Sequence, residues 1–234
     1  MDVLVQERSE RDNYIGRNAF DGDKECFFQP FYSTEKQCIW GAEALFRLKD
    51  EYGRYYNMDD LVARAEAEGW VSKIDSWVFR ETCKRIPVLR DYGLKRVNIN
   101  LSPAACQNPH IVENMQKVME QYGISRSEIC MEITEMCKVK DGDHFGAMVD
   151  SLVHQGIRLA LDDFGKGESN FLRLLDYDFD VLKVDKEFVW SIEEKEKGKA
   201  ALSCVIDFAK GQNMMVTAEG VETQMHVDFL KQAG

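Results

Sequence analysis

Two apolar runs, CFFQPFY from Cys26 and CIWGAEALFRL from Cys38, are separated by a polar stretch at 33–37. Runs of that length on either side of a short polar turn predict an antiparallel hairpin. After it the chain alternates between helical periodicity and short β-like runs. Helical spacing covers 58–69, 74–92, 109–122, 142–155, 169–176 and 195–211, with a last segment from Glu222 to the C-terminus. Between these lie RVNINLS (96–102), ICMEITE (129–135), RLALDDFG (158–165), VLKVDK (181–186) and MMVTAEGV (214–221). Such spacing is that of right-handed βαβ units, which either close into a barrel or stack as an open doubly wound sheet.

A TIM-like (β/α)8 barrel with an antiparallel first strand is the favoured α/β fold, because each strand ends in polar residues on its C-terminal side. These are Asn100 and Ser102, Glu132 and Glu135, Asp162 and Asp163, Lys183 and Asp185, and Glu219 and Glu222. In a barrel that face is where chemistry is assembled. Seven strands can be counted before Gly234, so the C-terminal strand of a closed barrel is expected to be missing from this chain. The 234 residues suit one domain, expected over 21–234, after an N-terminal connector helix over 1–20.

With 44% hydrophobic and 30% charged residues and only 4 prolines, the chain can bury enough apolar surface to fold. A net charge of -11 argues against duplex or other nonspecific nucleic-acid binding, which needs a basic stripe to displace counterions. Seven cysteines, odd in number and without a C-x-x-C pair, suit free thiols in the cytoplasm. No run approaches the ~18 apolar residues of a membrane helix, and the polar start MDVLVQERSERDNYIG lacks a signal-peptide core.

Polar residues at one strand end are commonplace, since strands must exit to solvent; their recurrence carries the chemical reading. Glu43, Asn100, Glu132, Asp162, Asp163 and Glu219 supply oxygen donors from five strands, as hard cations such as Mg²⁺ and Mn²⁺ require. Five carboxylates in one partly buried mouth could not all ionise at neutral pH unless cations offset them; the alternative is protonated, mutually hydrogen-bonded acids. Consecutive residues on a regular strand point to opposite faces, so Asp162 and Asp163 can both turn inward only at a strand end, with Gly165 and Gly167 supplying freedom. An adjacent acid pair can bridge two cations ~3.5–4 Å apart, the spacing used for in-line attack on phosphorus. Lys183, between Leu182 and Val184, would reach the same mouth and contact a water or phosphate oxygen; a plain salt bridge is the other reading.

At these residues the sequence resembles the EAL-domain family of cyclic di-GMP-specific phosphodiesterases, whose Glu-Ala-Leu stands here as Glu43-Ala44-Leu45. The likeness continues through Gln29-Pro30, Arg47, AEAEG (65–69), IDSWV (74–78), VNINLS, EITE, DDFG, LKVD and AEGVET (218–223). It covers the chain from about residue 25 onward, and an ordered set of this kind is very specific.

The resemblance implies metal-dependent hydrolysis of cyclic di-GMP to linear pGpG by in-line attack of a water activated by Mg²⁺ or Mn²⁺, two ions being expected. It makes Glu43, Asn100, Glu132, Asp162, Asp163 and Glu219 the metal ligands, with Asp162 bridging, and has Lys183 assist the attacking water. Gln29, Leu45 and Arg47 would lie along the dinucleotide, Glu135 would steady the loop after the DDF strand, and Glu222 would support the ligands from behind. Ca²⁺ would occupy the site without supporting chemistry, its larger radius and looser geometry placing water poorly. A homodimer is implied, as is fusion to an upstream sensory or diguanylate-cyclase-like (GGDEF-type) domain.

Two departures stand out. The loop that usually resembles DFGTGYSS reads Asp163-Phe164-Gly165-Lys166-Gly167-Glu168-Ser169-Asn170, which suggests that Lys166 pairs with Glu135 in place of a neutral contact. The glutamine of a QGY-like segment on the last strand has no counterpart before Gly234. His110, His144, His154 and His226 show no ligand spacing and read as surface or boundary residues, and Glu193-Glu194-Lys195-Glu196-Lys197 reads as the solvated start of a helix. Two rivals to the phosphodiesterase are a non-enzymatic cyclic di-GMP receptor and a glycosidase using Glu132 and Glu219 as acid and base. The second leaves Asn100, Asp162, Asp163 and Lys183 without a role, and none of the family's ligands is lost here, which favours the enzyme.

Overall fold

The structure, a computed structural model, describes residues 19–134, 143–166, 173–194 and 196–234. Strand β1 (Lys24–Ser33) folds back antiparallel on β2 (Cys38–Leu48), with a bulge between Phe31 and Tyr32. Period-two alternation in β2 sends Ala42, Ala44, Phe46 and Leu48 into the core and leaves Glu43, Leu45 and Arg47 on the opposite, partly open face. Five strands follow, each parallel to the one before: β3 (Arg96–Asn100), β4 (Ile129–Thr134), β5 (Arg158–Phe164), β6 (Val181–Val184) and β7 (Met215–Ala218). Spatial order equals chain order, so the sheet curls as a half-barrel with β1 and β7 at its ends, as the alternation of elements predicts.

Helices cover the convex face. They are α1 (Met58–Ala67), α2 (Val71–Asp91), α3 (Pro103–Cys106), α4 (Ile111–Tyr122), α5 (Asp143–His154), α6 (Arg173–Asp176), α7 (Lys186–Glu194), α8 (Glu196–Gly211) and α9 (Gln224–Ala233). Their ends follow local chemistry: Asn57 accepts from the amides of Asp59 and Asp60 to start α1, and Gly123, at φ 64°, ends α4 in the left-handed conformation. Val97, Ile99, Ile129, Met131, Leu159 and Leu161 project outward to meet the helices, all buried. Each such side chain contributes about 1.5–3 kcal/mol on burial, which makes the strand framework stiff enough to carry strain at its mouth.

On the concave face the layers alternate in chemistry. Cys130, Ala160 and Val181 form a small apolar floor, and two residues further along the same strands stand Glu132, Asp162 and Lys183. The polar layer therefore rests on a dry base at the C-terminal end of the sheet.

Several boundaries differ from the pattern reading. Residues 187–194, to which the pattern assigns no element of their own, form most of α7, because Phe188, Val189 and Ile192 recur on one buried or half-buried side. The charged run at 193–197 is consequently a break between two helices: Glu193 lies in the last turn of α7 and Glu196 opens α8. Of the expected connector, residues 1–18 lie outside the described residues, and Ala19–Asp21 form one 3-10 turn. Glu135 and the 167–170 part of the variant loop also lie outside them. No described helix is long and apolar enough to cross a membrane.

Candidate active site

Lys183 is the hub of the polar layer. Its side chain is 4% exposed, and its Nζ lies 2.9 Å from Glu132 Oε2, 3.0 Å from Asp162 Oδ1, 3.0 Å from Glu219 Oε1 and 3.2 Å from Glu43 Oε2. The strands make this meeting possible because β2, β4, β5 and β6 each aim one side chain inward at the same height, and Glu219 follows β7 directly. From β3, Asn100 Nδ2 donates to Glu43 Oε1 (2.9 Å) and Asn98 Nδ2 to Glu132 Oε1 (2.8 Å), while Asn98 Oδ1 is buried without a hydrogen-bond partner. Among the described residues no three acidic, histidine or cysteine side chains already surround a common point as metal ligands would; the acids close on the ammonium instead.

One ammonium facing four carboxylates leaves an excess of three negative charges when all are ionised. The protonation equilibria register that crowding. Burial, reinforced by Glu43 and Asp162 and opposed by Lys183, pushes the Glu132 carboxyl up to about 8. Burial likewise raises Asp162 and Glu219 above the usual carboxylate range. Burial works against the charge on Lys183, but the four carboxylates together outweigh it and hold the ammonium well above its ordinary value. The sequence reading posed cations or protonated acids as alternatives; the structure shows that a buried lysine supplies part of the compensation. The remaining donors are all oxygen, several on rigid strands, and fit Mg²⁺ or Mn²⁺ better than any softer metal.

The acid pair at the end of β5 turns as its position requires. Asp163 has φ +58°, an αL conformation that aspartate tolerates better than most residues, and its amide donates to Asp162 Oδ1 at 2.8 Å. The β5–β6 register shifts between Leu161 and Phe164, so the pair stands on a local irregularity that frees both carboxylates from strict alternation. Gly165 is also left-handed (φ +96°), and a Cβ there would come within 2.6 Å of the Phe188 ring. Lys166 Nζ lies 3.5 Å from Asp163 Oδ1, and that carboxylate raises the lysine's pKa; its expected partner, Glu135, is outside the described residues.

The family model for the EAL domain matches residues 17–234. This chain is an EAL domain. The signaling protein YkoW of Bacillus subtilis (strain 168) is 30% identical to it over 220 residues, 93% of this chain and 28% of YkoW. The cyclic di-GMP phosphodiesterase NbdA of Pseudomonas aeruginosa is 27% identical over 214 residues, 91% of this chain and 27% of NbdA. The chain thus spans just over a quarter of the length of these curated relatives. The solved structure of the PaMucR phosphodiesterase in complex with c-di-GMP shares the fold, with a TM-score of 0.86 over 96% of this chain and 92% of that one, at 24% identity.

Within this EAL domain, Gln29, Leu45 and Arg47 lie along the β1–β2 hairpin. Gln29 stands opposite Glu43 in the register, Leu45 opposite Phe27 and Arg47 opposite Glu25, so the three form a strip leading away from the carboxylates. Arg47 Nη1 donates to Phe46 O at 2.7 Å, and the guanidinium lies 5.5 Å from the centre of the Phe27 ring. Glu222 has an exposed side chain; its backbone amide, not its carboxylate, makes the local tie, to His226 Nδ1 at 3.3 Å.

Three features are not assigned by the sequence pattern: the role of Asn98, the contacts of Ser102 and the burial of His226. Asn98 shares the alternation of Asn100 and could have been found from VNINLS, since both asparagines fall on the same strand face. Ser102 Oγ donates to Asp75 Oδ2 at 2.5 Å and caps α3 by accepting from Ala105 N, which fixes the chain just beyond Asn100. Burial raises Asp75 to about 6. His226, expected at the surface, is 1% exposed, because its partners come from the end of α7 and from the β7–α9 loop, which no local spacing reveals. A separate cavity of about 320 Å³ between α2 and α4, bordered by Phe79, Arg80, Met115 and Gln121, meets the site at Asn100 alone.

Proposed function

We propose that this EAL domain is a cyclic di-GMP phosphodiesterase, hydrolysing one phosphodiester to linear pGpG with Mg²⁺ or Mn²⁺, two ions being held. The convergence of four carboxylates on Lys183 at the open end of the sheet, with negative charge in excess, carries this reading. The names of NbdA and of the PaMucR complex support the substrate. Glu43, Asn100, Glu132, Asp162, Asp163 and Glu219 would hold the cations. Bound there, divalent cations lower the pKa of a water and offset charge on the phosphoryl oxygens.

The remaining work falls to the chain. Lys183, kept charged by its carboxylates, orients the attacking water and stabilises charge growing on phosphorus. Gln29 and Leu45 position the dinucleotide, and Arg47 presents its guanidinium to a phosphate in the fork geometry that suits it. Glu135 steadies the loop after β5, and Glu222 braces the end of β7. Ca²⁺ would bind without supporting turnover. We further assign the domain to the cytoplasm, as a homodimer following a sensory or GGDEF-type domain; free thiols at Cys26, Cys38, Cys83, Cys130 and Cys204 are in keeping with a reducing compartment.

Incubating the protein with cyclic di-GMP, with and without Mn²⁺ or Mg²⁺, and following linear product tests the reading: turnover that depends on metal supports it. A cyclic di-GMP receptor is the second reading, favoured by Lys166, whose ammonium beside Asp163 competes with a cation for that carboxylate. Tight binding without turnover would establish the receptor.

A further inference from the structure

Glu219 enters the acidic cluster from the first residue after β7, where the strand ladder no longer controls it fully. Its own amide still donates to Val184 O at 3.0 Å, but the chain then turns through Gly220 at φ +63° and runs to Thr223, the N-cap of α9. A group that must hold its carboxylate within hydrogen-bond range of Lys183 therefore depends on whatever fixes the 220–223 turn.

Helix α7 supplies three such contacts from one face. Lys186 packs its Cβ so close to Gly220 that a Cβ on residue 220 would lie 2.4 Å away. One turn on, Trp190 Nε1 donates to Gly220 O at 2.9 Å. In the last turn, Glu193 Oε1 accepts from Thr223 Oγ1 at 3.0 Å and lies 3.0 Å from His226 Nε2, a close but off-line contact. Positions 186, 190 and 193 recur at helical spacing, so a single helix face grips the turn.

Two details argue that this grip is more than packing. Glu193 sits at the C-terminal end of α7, where the helix dipole disfavours a carboxylate, so α7 itself gains nothing from an acid there. His226 is buried with Nδ1 accepting from the Glu222 amide at 3.3 Å, which leaves its proton on Nε2, facing Glu193. Glu193 thereby holds the C-terminal end of the turn, at Thr223 directly and at the Glu222 amide through His226, while Trp190 holds Gly220 at the other end. Because α7 begins three residues after Lys183, capped by Asp185 Oδ1 accepting from Glu187 N at 2.7 Å, the same helix connects the two partners of the 3.0 Å Lys183–Glu219 contact.

We propose that Trp190, Glu193 and His226 are positioning residues, forming a clamp from α7 that sets Glu219 against Lys183. The inference rests on the phosphodiesterase reading for its catalytic consequence, but the clamp itself is a property of the apoprotein.

The test compares Glu193→Ala, Glu193→Gln and Trp190→Phe with the wild type in two assays. Without metal or nucleotide, amide hydrogen exchange should accelerate roughly tenfold or more across 219–223 in Glu193→Ala and Trp190→Phe, while β3 to β5 keep their protection. Glu193→Gln, whose side-chain carbonyl still accepts from Thr223 and keeps an oxygen facing His226, should recover most of that protection. With Mn²⁺ and cyclic di-GMP, kcat should fall about tenfold in Glu193→Ala and Trp190→Phe with KM changed by less than about twofold, and Glu193→Gln should be intermediate. Unchanged exchange over 219–223, or a Glu193→Gln variant no better than Glu193→Ala, would overturn the clamp. If Glu193→Ala fails to fold, Trp190→Phe, which keeps a ring and loses the indole N–H, decides by the same criteria. Absence of turnover in the wild type would refute the phosphodiesterase reading alone, leaving the exchange result to judge the clamp.

Discussion

Lowering the pH toward 6 should weaken divalent-cation binding steeply, because a cation must displace the proton that burial, reinforced by the neighbouring acids, keeps on Glu132. With that carboxyl pushed up to about 8, roughly half the molecules carry the proton at pH 8 and about 99% at pH 6. Displacing one proton then costs affinity by about 50-fold between those pH values, or ~2 kcal/mol. Asp162 and Glu219 are shifted in the same direction, so the dependence should be at least this steep. Isothermal titration of Mn²⁺ in two buffers of different ionisation enthalpy measures both the affinity and the protons released, about one per metal event or more near neutral pH. A change below about twofold over this range, or no proton release, would refute the claim that anionic crowding governs the site. The sign for the fold follows: Glu132 binds its proton more tightly folded than unfolded, so the apoprotein should lose stability as pH rises from about 5 to 8.

Further outcomes follow from the same contacts. Lys183→Met should abolish turnover and destabilise the apoprotein by roughly 3–5 kcal/mol, partly restored by Mn²⁺; calorimetric melting that is unaltered would contradict the hub role. Asn98→Leu removes a donor from buried Glu132 and should cost about 1–3 kcal/mol in denaturant unfolding, a loss well below that disagreeing with the geometry. Gly220→Ala, forced into a left-handed backbone with its Cβ 2.4 Å from Lys186, should lower stability by ~1–3 kcal/mol and kcat with it. Lys166→Thr frees Asp163 from a mostly exposed ion pair and should tighten Mn²⁺ binding by no more than a few-fold, whereas weaker binding would mean that the lysine supports the loop.

Much of the site was legible because strand periodicity is local. The alternation in VNINLS, ICMEITE, RLALDDFG and VLKVDK places Asn100, Glu132, Asp162 and Lys183 on one side of a sheet whose order follows the chain, and the structure brings them together. What could not be read is tertiary. That Lys183 meets four acids at once depends on the curl of the sheet, and His226 is buried facing Glu193, which lies on another helix. The sequence pattern assigns the acid pair's freedom to the glycines that follow, yet Asp163 itself adopts positive φ, beside the hydrogen bond from its amide to Asp162 Oδ1. Helix α7 was missed because its charged end merges in composition with the start of α8, and only the break between them separates a stabilised Glu193 from a solvated Glu196.

Diffraction from crystals soaked in Mn²⁺, collected where manganese scatters anomalously, addresses the cation site itself. The account predicts strong peaks bounded by Glu43, Asn100, Glu132, Asp162, Asp163 and Glu219, with the carboxylates drawn partly away from the Lys183 ammonium. A cluster that still closes on Lys183 alone, with no anomalous signal among those residues at saturating Mn²⁺, would contradict it.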